Sequence, residues 1–180
     1  MKNIKIVPMD MEQDLNEIIS WDEKYKGDPS YDNIIHFILE DNQYYSLAEV
    51  IQVNHIIYQI GKDETKHTFS VKNNSDEIVG FVLATVSNRT TNEPFMFIQY
   101  IVVAPEYQHN GYGSQILGEL INNPSQYFGV KPTEAFAYIH NDNYQSMKTF
   151  LNHGFSLNGV KNSKMFRAHK KMLNLELDKE

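Results

Sequence analysis

The sequence contains no cysteine. Disulfides, thiolate nucleophiles and cysteine-ligated zinc are excluded together. Seven histidines are present, but no two are spaced as in His-x-x-x-His, so no metal site is expected. Long apolar runs are missing as well. The longest nearly apolar stretch, residues 95–103, is interrupted by Gln99 and is far too short to span a membrane. The first residues, Met-Lys-Asn-Ile-Lys-Ile, lead into Asp10, Glu12 and Asp14 and lack the apolar core of a signal peptide, which predicts a cytoplasmic protein. Basic residues are scarce: 16 Lys and Arg stand against 23 Asp and Glu, a formal charge of −7, so a nucleic-acid partner is not expected.

What is present is a chain of 180 residues, 41% hydrophobic and 12% aromatic, which is long enough for one domain with its own core and too apolar for disorder. The charge is uneven. Between Asp10 and Glu49 eleven acidic residues face only Lys24 and Lys26, a local balance of −9. Such a segment is either a solvated helix-rich face or a rim that attracts a cationic ligand.

Periodicity and turn residues predict a strand over 3–8 and a helix over 11–21, with Asp10 as its N-cap. A break follows at Gly27, Asp28 and Pro29, then a helix over 33–41 and an ambiguous stretch over 44–60, read as a helix and a connector. Strands are expected over 67–72 and 78–87, joined by the hairpin signal Asn73-Asn74-Ser75-Asp76. A long strand over 95–103 lacks clean alternation, as expected when both faces are covered. A helix over 114–122 ends at Asn122, Asn123 and Pro124. A strand over 134–140, a helix over 143–153 stopped by Gly154, and closing strands over 155–157 and 164–173 complete the order. A sheet packed with helices on both sides fits this succession.

The most informative segment is Val103-Ala104-Pro105-Glu106-Tyr107-Gln108-His109-Asn110-Gly111-Tyr112-Gly113-Ser114. A strand ends, proline turns the chain, and two glycines open a helix. Glycine permits positive φ, and successive N–H groups with a helix N-terminus behind them make an anion site without a lysine. It is not a Walker loop, because no Gly-Lys-Ser/Thr occurs, and it lacks the third glycine of the dinucleotide fingerprint. By itself it reads as a plain tight turn before it reads as an anion site. A second segment follows the 134–140 strand: Asn143-x-x-Ser146, then Phe150, then Gly154-Phe155.

Together the two segments resemble the GNAT acetyltransferase superfamily, whose acyl-coenzyme A loop has the form Gln/Arg-x-x-Gly-x-Gly/Ala after a Val-x-Pro strand end. The following βα unit of that family carries Asn-x-x-Ala/Ser and closes in Gly-Phe. The match runs from about residue 78 to residue 155. The resemblance implies an α/β (α+β) fold with a mixed, mostly antiparallel central sheet of six to seven strands. It implies a single domain over 1–180, with acceptor-side elements over 1–66, an acyl-CoA-binding core over 67–157, and closing strands and tail over 158–180. It also implies acetyl-CoA as co-substrate and an amine acceptor as partner, with homodimerisation left open.

Residue by residue, the resemblance places the coenzyme A pyrophosphate on the amides of Gln108, His109, Asn110, Gly111, Tyr112, Gly113 and Ser114. His109 and Asn110 are given backbone roles only. The pantetheine arm would pair with Ile101, Val102 and Val103, and the N–H of Ile101 or its neighbour would polarise the thioester carbonyl. Asn143 reads equally as an N-cap or as a coenzyme A contact. Ser146, on the same face, is a candidate donor near the sulfur. Many family members carry a tyrosine seven residues after the Asn as the acid; here that position is Phe150. Members often supply a carboxylate base from the central strand, and the two positions expected for it are Phe97 and Gln99. Glu93 at the strand's start and His140 at the end of the next strand are the remaining candidates, His140 reading first as a half-buried strand-end residue.

The expected activity is acetyl transfer from acetyl-CoA to a primary amine of a cationic small molecule or peptide by direct attack. The alternative is a non-catalytic acyl-CoA-binding module, motivated by Phe150, Phe97 and Gln99. A general nucleotide-binding domain is disfavoured by the missing lysine and ribose-binding carboxylate.

Overall fold

The computed structural model describes residues 3–32, 66–88, 93–159 and 165–172. The helix expected over 33–41 and the ambiguous stretch 44–60 lie outside the described residues. Seven strands are named in chain order: β1 Lys5–Pro8, β2 Lys66–Lys72, β3 Ile78–Asn88, β4 Pro94–Val103, β5 Glu134–His140, β6 Ser156–Gly159 and β7 Met165–Lys171. They form one mixed sheet in the order β1-β2-β3-β4-β5-β7-β6. β1 pairs antiparallel with β2, β7 pairs antiparallel with both β5 and β6, and β4 pairs parallel with β5. The described helices are α1 Gln13–Lys24, α2 Pro29–Asp32, α3 Tyr112–Asn122, α4 Pro124–Phe128 and α5 Tyr144–Asn152.

Local chemistry sets most boundaries. Asp10 Oδ1 accepts from the N–H groups of Glu12 and Gln13, and its carbonyl accepts from Asp14, so Asp10 opens α1 as expected. α1 then runs to Lys24, past the expected end at residue 21, because the chain reverses only at Gly27, where φ is +82°. In the β2–β3 turn, Asn73 Oδ1 accepts from the N–H groups of Ser75 and Glu77. α3 starts two residues earlier than expected, immediately after Gly111 at φ +82°. Pro124 ends α3 but also stands at the first position of α4, a short helix the sequence reading missed, since a missing N–H costs nothing there.

The chain divides into two compact units. One comprises Met1–Leu83 and Val102–Tyr112, the other Ala84–Ile101 and Gly113–Glu180. In the first, Ile18 and Trp21 of α1 are buried with Phe69, Val71, Val79 and Phe81, and the Trp21 and Phe81 rings lie 6.2–6.4 Å from their aromatic neighbours. Asp14 is 4% exposed. It accepts from the Ser70 hydroxyl at 2.7 Å and the Asp10 N–H at 3.0 Å, with Lys72 Nζ at 3.2 Å. Burial alone would push its carboxyl up; these donors and the ammonium outweigh that and hold it below the usual range.

In the second unit Met96, Ile98, Ile116, Leu117, Leu120, Ala135, Ala137, Ile139, Phe150, Phe155 and Ala168 are buried. The alternation on β5 buries Ala135, Ala137 and Ile139 on one face and leaves Tyr138 exposed on the other.

Candidate functional site

In the first unit, β4 ends at Val103 and a 3-10 turn over Pro105–Tyr107 redirects the chain. The N–H of Ala104 donates to Val79 O at 2.9 Å, tying the strand end to β3. Two carboxamides then fold back on their own turn. Gln108 Nε2 donates to Val103 O at 3.0 Å, and Asn110 Nδ2 donates to Gln108 O at 2.8 Å and Tyr107 O at 3.3 Å. His109 takes φ +59° and Gly111 φ +82°. A Cβ placed on Gly111 would meet nothing within 4 Å. The turn therefore presents backbone to open space, while its polar side chains brace it from behind.

Further braces come from distant elements. Glu106 Oε1 accepts from Lys24 Nζ at 2.6 Å and from the Tyr25 hydroxyl at 2.9 Å. The hydrogen bond from Lys24 holds the Glu106 carboxyl below its ordinary range, and the Lys24 ammonium is raised in return. The Tyr25 phenol is pushed up, first by burial and then by the neighbouring carboxylate. Tyr107 OH reaches Glu77 Oε2 at 3.3 Å.

In the second unit, β4 and β5 run together only briefly. Their parallel ladder joins Phe95 to Glu134, Met96 to Ala135 and Phe97 to Phe136, and ends there. β5 continues to His140 against β7 alone, and β4 continues without β5 beside it. Two parallel strands that separate in mid-course open a wedge lined by main chain, and Ile101 lies on its β4 side. Glu93 sits at the other end of β4, eight residues from Ile101, about 26 Å at ~3.3 Å per residue.

The same unit carries the start of α3 and all of α5. A helix's first turn has N–H groups without intrahelical acceptors, and those of Gly113 and Ser114 belong to it. Ser114 Oγ lies 2.8 Å from His153 Nε2. Asn143 Oδ1 accepts from the N–H of Ser146 at 3.0 Å and so caps α5; its own NH2 takes no acceptor among the described residues. Ser146 is half-buried one turn along. Phe150 is buried edge-on against Phe155 at 4.9 Å, which explains a phenyl ring where a hydroxyl was sought: the position belongs to the core. Tyr144 is 73% exposed. His140 Nδ1 accepts from the N–H of Asp142 at 3.2 Å, so the ring lone pair is already engaged.

The residues named from sequence thus fall in both units. Val102, Val103 and residues 108–112 lie in the first, and Ile101, Gly113, Ser114, Asn143, Ser146, His140 and Glu93 in the second. Other structural features escaped sequence reasoning. Gly80 is one: a Cβ there would stand 2.2 Å from Val102 O, and a glycine inside a β-branched strand was the available signal. Nothing in the pattern pointed to the Glu106 cluster, to His153 or to Arg167.

The family model described as the acetyltransferase (GNAT) family matches residues 17–155. No curated protein matches the sequence. Among solved structures, the chain resembles a GNAT-family protein from Desulfovibrio desulfuricans at 17% identity, with 95% of this chain and 100% of that chain covered and a TM-score of 0.65. It also resembles spermidine N-acetyltransferase from Vibrio cholerae at 12% identity, 94% and 94% coverage and a TM-score of 0.64. The PaiA N-acetyltransferase from Thermoplasma acidophilum, solved in complex with coenzyme A, is similar at 18% identity, 94% and 99% coverage and a TM-score of 0.59.

Proposed function

Because the chain belongs to the acetyltransferase (GNAT) family, we propose that it transfers the acetyl group of acetyl-CoA to a primary amine of a cationic small molecule or peptide by direct attack. It is an N-acetyltransferase with acetyl-CoA as co-substrate. The observation that most supports the proposed site is the end of the β4–β5 ladder at Phe97 and Phe136, a wedge of main chain beside Ile101. In the first unit the fit rests on Gly111, where a Cβ would meet no atom within 4 Å and backbone is offered to an anion.

Bound there, acetyl-CoA supplies an acyl group activated as a thioester. The amides of residues 108–114 hold the pyrophosphate, and Ile101, Val102 and Val103 hold the pantetheine arm through main-chain groups. The N–H of Ile101 polarises the carbonyl and stabilises the oxyanion. Asn143 caps α5 with its Oδ1 and keeps its NH2 as a donor towards the arm. Ser146 donates a hydrogen bond to the departing thiolate and relays to it a proton from solvent, since such a thiol titrates near about 8.5.

An alkylammonium, with a pKa of about 10.4, must lose its proton before it attacks. His140 is poorly placed to take it, because its Nδ1 already accepts from Asp142. Glu93 is too far along β4. Water is therefore the base in this scheme, and approximation of the two reactants supplies most of the rate gain. The exposed Glu12, Glu17 and Glu23 of the acidic segment support a cationic acceptor.

The deciding experiment measures thiol release over a panel of primary amines, from polyamines to peptides. An amine-dependent rate above buffer is expected. Tight coenzyme A binding with no amine-dependent release would select the binding module instead.

A further inference from the structure

One guanidinium in the second unit has no use in the scheme above. Arg167 of β7 lies with its Cζ 5.2 Å from the centre of the Phe136 ring. Its Nε is buried and has no hydrogen-bond partner. A buried N–H of a charged group left without an acceptor is costly, and native chains rarely keep one that does nothing.

The sheet register shows what surrounds it. Arg167 stands opposite Tyr138 on β5, and Phe136 stands opposite both Phe97 on β4 and His169 on β7. Cross-strand partners share a face, so Phe97, Phe136, Tyr138 and Arg167 form one continuous row. Phe97 and Phe136 stack at 4.9 Å, and the Tyr138 ring meets both edge-on. Within this row Tyr138 is 45% exposed, while Phe136 is buried. The acid nearest in register, Glu134, is turned to His169 Nε2 at 3.7 Å. No carboxylate among the described residues pairs with Arg167.

We propose that Arg167 is the residue that recognises the acceptor, by binding a carboxylate on the amine substrate while Phe97, Phe136 and Tyr138 line its apolar scaffold. The inference rests on the acetyltransferase reading. A planar guanidinium held against an aromatic ring, with Nε–H still to be satisfied, suits a carboxylate better than any neutral group. Spacing sets the size of the acceptor. Ile101 lies four residues beyond Phe97, about 13 Å along β4 at ~3.3 Å per residue. A carboxylate anchored over Phe136 with an amine at the acyl carbon therefore describes a chain of three to four extended residues, at ~3.5 Å each. The acceptor class is a short peptide of three to four residues with a free carboxylate. A basic side chain on it keeps the net charge positive, as the acidic segment favours.

The test compares tri- and tetrapeptides with their C-terminal amides, which differ only in that charge. For the wild-type protein kcat/KM should favour the free acid by roughly 10- to 100-fold, the effect of one charge-assisted pair. In Arg167→Met this ratio should collapse towards one. Arg167→Lys should keep part of it, and stands in if the methionine variant does not fold. Calorimetry with the N-acetylated tripeptide and its amide gives a reading independent of turnover: the acid should bind more tightly, and only while Arg167 is present. Equal rates and equal binding for acid and amide, or a preference that survives Arg167→Met, would overturn the assignment of Arg167 while leaving acetyl transfer intact. Absence of amine-dependent thiol release would instead overturn the acetyltransferase reading, and calorimetry would still decide the role of Arg167.

Discussion

Ser114 Oγ and His153 Nε2 lie 2.8 Å apart, so the first turn of α3 is fastened to the residue that caps the end of α5. The imidazole also covers Gly118, where a Cβ would sit 3.2 Å from its Cε1. The amide of Ser114 is one of those proposed to hold pyrophosphate, and the bond fixes where that amide points. His153→Ala should therefore weaken acetyl-CoA binding by roughly 2- to 10-fold, the worth of one net hydrogen bond. Titration calorimetry checks it, and an unchanged affinity would detach His153 from the site.

At Gly111 two substitutions separate strain from charge. Gly111→Ala meets no neighbour but places a side chain at φ +82°, which costs about 1–2 kcal/mol of stability. Gly111→Asp adds a negative charge where phosphates are expected. We expect coenzyme A affinity to fall at least 10-fold further in the aspartate variant than in the alanine variant. Equal affinities in calorimetry would remove the anion-binding role of this turn.

Gly80→Ala should be far more damaging than an ordinary strand substitution. Its Cβ would fall 2.2 Å from the backbone oxygen of Val102, and backbone cannot swing aside as a side chain can. A loss of about 2–4 kcal/mol is expected, or a Tm lowered by roughly 4–16 °C. Thermal melting followed by circular dichroism measures it.

The buried Asp14 gives stability an acid limb. Its folded pKa lies below the ordinary value, so its contribution is present above about pH 4 and is lost as pH falls through the folded pKa. Asp14→Asn should be less stable than wild type at pH 6, and the difference should shrink as the pH drops below about 4. A gap that stays constant from pH 6 to pH 2.5 would show that the Ser70 and Lys72 contacts carry no charge-linked stability.

Acceptor kinetics at two salt concentrations test the acidic segment. Exposed Glu12, Glu17 and Glu23 should raise the local concentration of a cationic amine. The acceptor KM should increase as ionic strength rises past about 0.1 M, where the Debye length falls below ~10 Å. A KM flat with salt would show that these acids only solvate α1. Part of the −9 balance is already committed elsewhere, since Asp10 caps α1, Asp14 is buried, and Asp22 accepts from the Tyr31 hydroxyl.

What the sequence determined by itself was local. The ends of β5 and nearly those of α5, the Asp10 and Asn143 caps, and the place of the glycine turn between β4 and α3 depend on neighbouring residues' torsions, periodicity and hydrogen bonds. The position of the turn proposed to hold acetyl-CoA was legible for the same reason, because a turn that offers backbone needs glycine at a fixed offset from a strand end. Only the tertiary structure decided what depends on register and on long closures. Glu106 meets Lys24 from 82 residues away, and no local pattern announces a brace of that span. Phe150, sought as an acid position, is core because Phe155 packs on it. Arg167 stands over Phe136 because β7 pairs with β5 in one register, and a slip of one residue would carry its guanidinium to the opposite face of the sheet.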